Sequence, residues 1–291
     1  MNYLIGIDVG TSATKTVLFD EEGTVIASAS KEYGMIQPQN GWAEQNPGDW
    51  NAVLETLSEV RERSGVPAGA IKGIGLSGQM HGLVMLDEDN EVIRPSIIWC
   101  DQRTGGQVEE MLQIMPRERW IELTANPPLT GWTAAKILWV KKHEPENYQK
   151  CRHILLPKDY IRQVLTGVFA TEVSDASGMQ LLDVQGRCWS EEVLRALDID
   201  RSLLGEVYES CEITGTLLPE IAERTGLNAD TIVVGGAGDN AAAAGGGGGN
   251  PGRHGRGVRG GNIVRRRPPP GLRRRGRIKR ADRRHRLLQR G

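Results

Sequence analysis

The first third of the chain alternates short apolar runs with turn-forming residues, which predicts strands followed by a helix. Apolar runs lie at residues 3–9, 15–19 and 24–36, and the Asp-Glu-Glu-Gly turn at residues 20–23 favours a hairpin. A helix is predicted to begin at Pro47 and Asp49, because apolar residues then recur at helical spacing from Trp50 to Val60. The chain therefore opens with a predicted antiparallel meander and one amphipathic helix.

Beyond residue 70 the pattern alternates between strands and helices. Strands are predicted at residues 71–76, 83–86, 96–99 and 231–234, and helices at residues 106–115, 134–142, 159–165, 191–197 and 220–225. Because alternating strands and helices build a sheet that helices cover, the sequence predicts the α/β class, with a mixed sheet and flanking helices.

The last 47 residues differ in composition from the rest of the chain. Of the 36 Lys and Arg residues in this chain of 291, 16 lie at positions 245–291, together with only one of the 37 acidic residues. Positions 1–244 therefore carry a formal charge of −16 and the remainder +15. Gly, Arg and Pro tracts offer little apolar surface to bury, so we expect a folded domain at 1–244 and a disordered tail at 245–291.

Charge and hydropathy exclude several classes of protein. The acidic part argues against a nucleic-acid-binding surface. The basic tail could bind RNA by charge, but it has no Phe, Tyr or Trp to stack on bases, so this alternative is disfavoured. No run approaches the ~18–20 apolar residues of a membrane span, and the first ten residues lack the basic start of a secretory signal. Four cysteines without a CxxC pair predict reduced thiols in a cytoplasmic protein.

The first candidate site is the turn after the first predicted strand. Asp8 lies near the end of that strand and Gly10, Thr11 and Ser12 follow, so a carboxylate stands beside backbone amides and hydroxyls. Such a turn suits a magnesium-bound phosphate, with Asp8 towards the cation and Lys15 as an added positive charge. A hairpin turn in which Asp and Gly serve only local geometry explains the same residues.

A later strand ends in a similar way, at residues 235–240 with the sequence Gly-Gly-Ala-Gly-Asp-Asn. Asp239 taken alone is explained as a helix cap, a position that favours Asp. Two strand–glycine–aspartate ends in one chain instead favour phosphoryl transfer, because that reaction needs a carboxylate near the metal and a base for the attacking hydroxyl.

Two polar turns supply candidate sugar contacts. Residues 79–82 (Gln-Met-His-Gly) and 99–103 (Trp-Cys-Asp-Gln-Arg) each follow an apolar run. We expect both at one edge of the sheet, where α/β proteins bind ligands. An aromatic face beside planar hydrogen-bonding groups suits a sugar. A lone His81 or Arg103 is more often a structural or surface residue, and that alternative stays open.

Six short segments together form a pattern known from one enzyme family. They are residues 8–12 (DVGTS), 77–82 (SGQMHG), 98–103 (IWCDQR), 156–160 (LPKDY), 174–178 (SDASG) and 236–241 (GAGDNA). The pattern resembles the FGGY carbohydrate kinases over about residues 3–244, with the six segments in the same order as in that family. The Gln-Met-His-Gly turn resembles most closely the members that phosphorylate D-xylulose rather than glycerol.

The resemblance implies the amino-terminal lobe of an actin-like (ribonuclease-H-like) ATPase fold, the first of two lobes. It implies that ATP, with Mg²⁺, phosphorylates the terminal hydroxyl of a ketopentose to give D-xylulose 5-phosphate. By position, Asp239 is implied as the general base and Asp8 as the magnesium-associated carboxylate. The residues implied at the phosphates are Gly10, Thr11, Ser12 and Lys15, and those at the sugar are Met80, His81, Trp99, Asp101, Arg103 and Asn240.

The family pattern stops after Ala244, where the family has a second lobe with a further phosphate loop and the adenosine pocket. Ala, Gly, Arg and Pro codons interconvert in a GC-rich gene when the frame slips by one base, so we hypothesise that the tail is frame-shifted. Without that lobe we expect impaired turnover. The alternatives are an inactive sugar-binding module and a kinase for a related ketopentose or polyol, and the sequence leaves open whether the chain forms a homodimer.

Overall fold

The chain folds as a mixed sheet with flanking helices, as the alternating pattern predicts. The computed structural model describes residues 1–246. The tail predicted to be disordered and frame-shifted lies outside these residues, except for Gly245 and Gly246, which end the last helix.

Within the described residues the secondary structure is as follows, in chain order. The strands are β1 (Tyr3–Val9), β2 (Ala13–Asp20), β3 (Val25–Glu32), β4 (Glu44–Gln45), β5 (Ile71–Gly78), β6 (Val84–Leu86), β7 (Ser96–Ile97), β8 (His153–Leu155), β9 (Ala170–Glu172), β10 (Leu182–Asp183), β11 (Cys188–Trp189), β12 (Glu206–Tyr208), β13 (Ile213–Thr216), β14 (Ile232–Val234) and β15 (Ala237–Gly238). The α-helices are α1 (Ala52–Ser64), α2 (Gly105–Ile114), α3 (Arg117–Thr124), α4 (Thr133–His143), α5 (Pro145–Lys150), α6 (Pro157–Thr166), α7 (Val173–Ala176), α8 (Glu191–Leu197), α9 (Pro219–Thr225) and α10 (Asp239–Gly246). Short 3₁₀ turns lie at Pro47–Asn51, Ala68–Ala70, Ser177–Met179 and Arg201–Leu203.

The central sheet has the strand order β13-β14-β5-β1-β2-β3, and β15 also pairs with β5. β1, β2 and β3 are antiparallel neighbours, which confirms the predicted meander, while β5 runs parallel to β1, β14 and β15. The register pairs Gly78 of β5 with Val9 on one side and with Gly238 on the other. The carboxyl ends of β1, β5 and β15 therefore meet at one edge of the sheet.

Helices cover one face of this sheet, and the opposite face is open near its centre. Ile5, Ile7 and Val9 of β1 point to the covered face and are almost completely buried. α1 packs on β2 and β3 there, and the hydroxyl oxygens of Thr56 and Thr16 lie 2.7 Å apart. The open face carries a shallow cavity of about 300 Å³, lined by Gly6, Ile7, Asp8, Lys15, Val17, Phe19, Gly75, Leu76 and Ser77.

A second hydrophobic core lies in the long insertion between β5 and β14. Met111 of α2, Trp120 of α3 and Val140 of α4 are completely buried in it. The indole of Trp120 donates to the carbonyl oxygens of Met111 and Met115, each at 3.1 Å. Among the described helices, none has the length and apolar composition needed to cross a membrane.

The insertion is also where the structure departs from the sequence pattern. The strands predicted at residues 83–86 and 96–99 do not join the central sheet, because β6 pairs with β8 and β7 pairs with β4. Helices α3 and α5 are absent from the prediction, because they bury too few apolar residues to show a helical repeat: α3 buries one, Trp120, and α5 buries none. The helix predicted from Pro47 begins as a 3₁₀ turn and becomes α-helical at Ala52.

Gly236→Ala is expected to destabilise the fold. Gly236 has a φ of 75°, and a Cβ there would lie 2.0 Å from the carbonyl oxygen of Leu76. The left-handed backbone and the clash are expected to lower the free energy of unfolding by about 3 kcal/mol or more, measured by urea denaturation. Gly75→Ala is the control, because a Cβ there meets no atom within 4 Å. A control loss as large as that of Gly236→Ala would contradict the prediction.

Candidate active site

Asp8 and Lys15 stand together on the open face of the sheet. Asp8 is the penultimate residue of β1, and the antiparallel register pairs it with Lys15 of β2. Both residues are exposed, and both line the cavity described above. The Gly10 amide donates to the Ala13 carbonyl oxygen at 3.0 Å and closes the turn between the strands. The predicted phosphate turn therefore presents a carboxylate and an ammonium group to solvent.

Residues distant in sequence hold this turn in place. The Tyr33 hydroxyl donates to the Gly10 carbonyl oxygen at 2.6 Å, and the Gln45 amide donates to that of Thr11 at 2.6 Å. The Thr11 hydroxyl accepts a hydrogen bond from the Trp99 indole at 3.0 Å. Ser12 is exposed at the tip of the turn. The structure thus brings Trp99, predicted as a sugar contact, to the predicted phosphate turn.

Asp239 lies at the neighbouring strand end. β15 ends at Gly238 and α10 begins at Asp239, whose side chain is exposed. Partial desolvation raises the pKa of the Asp239 carboxyl, the Asn240 amide opposes this shift, and the negative charge of Asp8 adds to it. Val9 and Gly238 both pair with Gly78, so the two aspartates lie at strand ends on either side of β5.

Met80 connects the sugar turn to the segment that carries Asp239. Met80 follows β5, is 7% exposed and packs on Gly238, where a Cβ would lie 2.9 Å from the Met80 Cγ and Sδ atoms. The Asn240 side-chain nitrogen lies 3.9 Å from the Met80 sulfur. Three of the residues predicted at the site, Met80, Asp239 and Asn240, therefore surround one point of the sheet edge.

Three contacts hold His81 in one orientation. Its backbone has a φ of 66°, its Nδ1 lies 2.9 Å from the Gly178 carbonyl oxygen, and its ring centre lies 4.5 Å from that of Trp132. Burial lowers the pKa of the imidazole to about 4, with Gly178 opposing the shift and Lys136 adding to it. A neutral imidazole whose Nδ1 donates to a carbonyl presents Nε2 as a hydrogen-bond acceptor.

Asp101 and Arg103, predicted as sugar contacts, lie in the interior rather than at the open edge. Both side chains are completely buried, and Arg103 donates to Asp101 at 2.7 Å through Nη2 and lies 2.7 Å from a Glu44 oxygen through Nη1. The guanidinium also stacks over Trp42, 3.7 Å from the ring centre. Their buried ion pair anchors the loop that carries Trp99. The Trp99 side chain is itself 48% exposed.

Lys136 is a residue of the site that the sequence analysis missed. Its Nζ is buried in α4 and donates to the carbonyl oxygens of His81 and Gly131, each at 2.7 Å. Burial lowers the pKa of this ammonium group to about 7. The sequence does carry a signal, because Lys136 interrupts the apolar positions of the predicted helix at residues 134–142.

Asp8 also fits a magnesium ion that is held partly by phosphate. No group of three or more His, Cys, Asp or Glu side chains in residues 1–246 is arranged to hold a metal. Asp8 is an exposed oxygen donor beside the turn of Gly10, Thr11 and Ser12. Mg²⁺ prefers one or two carboxylates together with water and substrate phosphates, so this donor set suits it.

The sequence matches known proteins over nearly all of its described length. The amino-terminal domain of the FGGY family of carbohydrate kinases matches residues 3–246. The xylulose kinase of Bacillus subtilis is 45% identical over 237 residues, which are 81% of this chain and 47% of that relative. The xylulose kinase of Escherichia coli is 41% identical over 233 residues, which are 80% of this chain and 47% of that relative.

Solved structures match over a similar extent. A xylulose kinase from Rhodospirillum rubrum has a TM-score of 0.80 and 28% identity, covering 84% of this chain and 50% of the other. A xyloylose kinase from Brucella ovis has a TM-score of 0.76 and 36% identity, covering 82% of this chain and 48% of the other. The chain therefore spans about half the length of the curated relatives it matches.

His81→Gln is expected to reduce the loss of stability in acid. The folded pKa of His81 is about 4, below its ordinary value of 6.5, so only the unfolded chain binds this proton between those values. The contribution of the neutral His81 imidazole to the free energy of unfolding is fully present above about pH 6.5. It falls by about 3 kcal/mol as the pH drops to 4. Urea unfolding at several pH values between 7 and 4 measures this slope.

The difference between the wild-type and His81→Gln curves isolates this proton, because the carboxylates that titrate near pH 4 are common to both chains. Parallel curves over the whole range would show that the imidazole does not exclude the proton when the chain is folded.

Proposed function

Because the chain belongs to the FGGY family of carbohydrate kinases, we propose that its described lobe carries the sugar site and the general base of an ATP-dependent D-xylulose kinase. The fold is actin-like, as expected, with a mixed sheet and flanking helices. The observation that carries the proposal is the meeting of three strand ends at one edge, which bring together Asp8, Asp239 and the turn of Met80 and His81.

Asp239 is the proton acceptor in this proposal. The terminal hydroxyl oxygen of the ketopentose attacks the γ-phosphorus of ATP, and the hydroxyl proton passes to the Asp239 carboxylate. The bond from the γ-phosphorus to its bridging oxygen breaks, and ADP leaves with that electron pair. Desolvation raises the pKa of Asp239, and a raised pKa makes a carboxylate a stronger base.

The sugar is held at the edge formed by Met80, His81, Trp99 and Asn240. The neutral imidazole of His81 accepts a hydrogen bond from a sugar hydroxyl through Nε2, and the exposed Trp99 ring offers an apolar face. Asp101 and Arg103 act in this proposal as positioning residues for the Trp99 loop, since their ion pair is buried.

The phosphates lie over the turn of Gly10, Thr11 and Ser12, with Lys15 as a positive charge beside Asp8. Asp8 holds Mg²⁺, which neutralises phosphate charge when bound. The support for this placement is the exposed Asp8–Lys15 pair next to a turn whose backbone is fixed by long-range bonds. We place the reaction in the cytoplasm, in accord with the free thiols of Cys100, Cys151, Cys188 and Cys211.

Asp239→Asn is expected to lower turnover by about 10²–10⁴-fold, the usual contribution of a general base. ADP release is followed with D-xylulose and Mg-ATP, and D-xylulose binding is measured separately by calorimetry. Because the amide keeps the shape of the carboxylate, binding is expected to change by about twofold or less. Asp230→Asn is the matched control. Asp230 is exposed and precedes the amino end of β14, whereas the site lies at the carboxyl ends of the parallel strands.

Each result of this experiment decides between the proposed functions. ADP release that survives in Asp239→Asn would remove Asp239 from the role of base. Saturable D-xylulose binding without ADP release from the wild-type chain would assign a sugar-binding module, and no D-xylulose binding at all would contradict the sugar site. Tighter binding of another ketopentose or polyol would change the substrate and leave the site unchanged.

A further inference from the structure

One short segment contacts both halves of the candidate site. It comprises residues 172–178, from the end of β9 through α7 into the 3₁₀ turn at Ser177–Met179, and we name it the bridging segment. Its residues bond both to the strand end that carries Asp239 and to His81 in the sugar turn. The proposed function assigns this segment no role.

Ser174 connects the bridging segment to Asp239. The amide of Gly238, the residue before Asp239, donates to the Ser174 hydroxyl oxygen at 3.1 Å. That hydroxyl donates its own proton to Glu172 Oε1 at 2.7 Å, so one hydroxyl serves as acceptor and donor at once. The backbone just before Asp239 is therefore tied to a buried carboxylate through Ser174.

Gly178 connects the other end of the segment to His81. Its carbonyl oxygen accepts the hydrogen bond from His81 Nδ1 at 2.9 Å. A Cβ at position 178 would lie 2.5 Å from the His81 Nδ1 and Cε1 atoms and 3.2 Å from the Met80 methyl group. Only glycine allows the segment to approach the sugar turn this closely, so the same segment also sets the orientation of the imidazole.

Buried charges hold the bridging segment itself. Glu172, Asp175 and Lys158 are completely buried, and Lys158 Nζ lies 3.2 Å from Asp175 Oδ2 and 3.8 Å from Glu172 Oε1. Glu172 also accepts the amides of Ser174 at 2.8 Å and of Asp175 at 2.9 Å. Moving Glu172 away from Lys158 would leave both charges without compensation in a medium of low dielectric, so the segment resists displacement.

Arg162 and Asp159 extend this group of buried charges to Gly235, the first residue of the glycine turn that precedes Asp239. Arg162 of α6 bonds Asp159 at 2.7 Å and the Ala170 carbonyl oxygen at 2.7 Å, and its other terminal nitrogen donates to the Gly235 carbonyl oxygen. Gly235 and Gly238, at the two ends of the turn, are thus both bonded to buried polar groups.

We propose that the bridging segment is a positioning element that fixes Asp239 relative to His81, through Ser174 at one end and Gly178 at the other. The inference rests on the proposed function, because that function assigns Asp239 as the base and His81 as the sugar contact. The bridging segment fixes the distance between these two residues. Ser174 is a positioning residue in this arrangement, since it acts on Asp239 through Gly238.

Ser174→Ala removes the acceptor of the Gly238 amide and leaves the Gly178–His81 bond in place. Nuclear magnetic resonance of the full chain, without sugar or nucleotide, then measures three signals. We expect the Gly238 amide to exchange about tenfold faster, as befits a lost hydrogen bond. We expect the amide signal of Asp239, the next residue, to shift, and the His81 ring signals to stay unchanged.

Ser210→Ala is the matched control. The Ser210 hydroxyl also donates to Glu172, at 3.0 Å, and the described contacts of that hydroxyl do not include Gly238. The control is expected to leave the Gly238 and Asp239 signals as in the wild type. Equal changes in the two alanine variants, or no change in Ser174→Ala, would overturn the proposal.

A third variant covers the case in which Ser174→Ala does not fold. Ser174→Thr keeps the hydroxyl oxygen, so slow exchange at Gly238 and the wild-type amide signal of Asp239 are expected to be retained. Loss of both in a folded Ser174→Thr chain would overturn the proposal, as would fast exchange at Gly238 in the wild type.

Sugar binding and turnover separate this proposal from the function on which it rests. For Ser174→Ala we expect the dissociation constant and KM for D-xylulose to stay within about twofold, because His81 keeps its contact, while kcat falls. A wild-type chain that binds no D-xylulose would contradict the proposed function alone, since the resonance signals of Gly238 and Asp239 need no ligand.

Discussion

The parallel pairing of β5 with both β1 and β15 is the constraint on which the site depends. Val9 and Gly238 flank Gly78 in this register, so the turns that follow β1 and β5 and the start of α10 emerge side by side. Parallel neighbours must be joined by long crossovers, and the chain places most of its length between β5 and β14. The site is therefore assembled by the sheet, whereas the insertion determines how its side chains are held.

Close packing at this edge explains why small residues alternate with functional ones. Gly238 lies against Met80, and Gly178 lies against His81, so a side chain at either glycine would displace a predicted sugar contact. Gly236 turns the chain with a positive φ directly against Leu76. The glycines therefore determine the distance between strand ends, and this distance sets the spacing of the polar residues beside them.

The sequence predicts the strand ends well because the signals there are local. An apolar run beside Asp and Gly places Asp8 and Asp239 at strand ends without knowledge of any distant contact. Lys136 and Ser174 act through atoms contributed by remote segments, so neither periodicity nor residue type reveals their partners. Arg103 shows the converse, since a residue type that suits a sugar is here used in a buried ion pair.

The buried cluster behind the bridging segment has an excess of acid, and this determines its protonation. Lys158 and Arg162 face Asp159, Glu172 and Asp175, so full ionisation would leave one uncompensated negative charge in the interior. Burial raises the pKa of Asp175 to about 8, with Lys158 opposing and the other two acids adding to the shift. A proton on Asp175 therefore balances the cluster near neutral pH.

Asp239 reaches a raised pKa by a different route, which bears on its proposed role. Desolvation is the largest cause and the charge of Asp8 a smaller one. A divalent cation bound at Asp8 would replace this repulsion with an attraction, which lowers the pKa, so desolvation alone would then act to raise it. Gly238 packs against Met80 and donates to Ser174, so these contacts fix the backbone from which the Asp239 carboxyl projects.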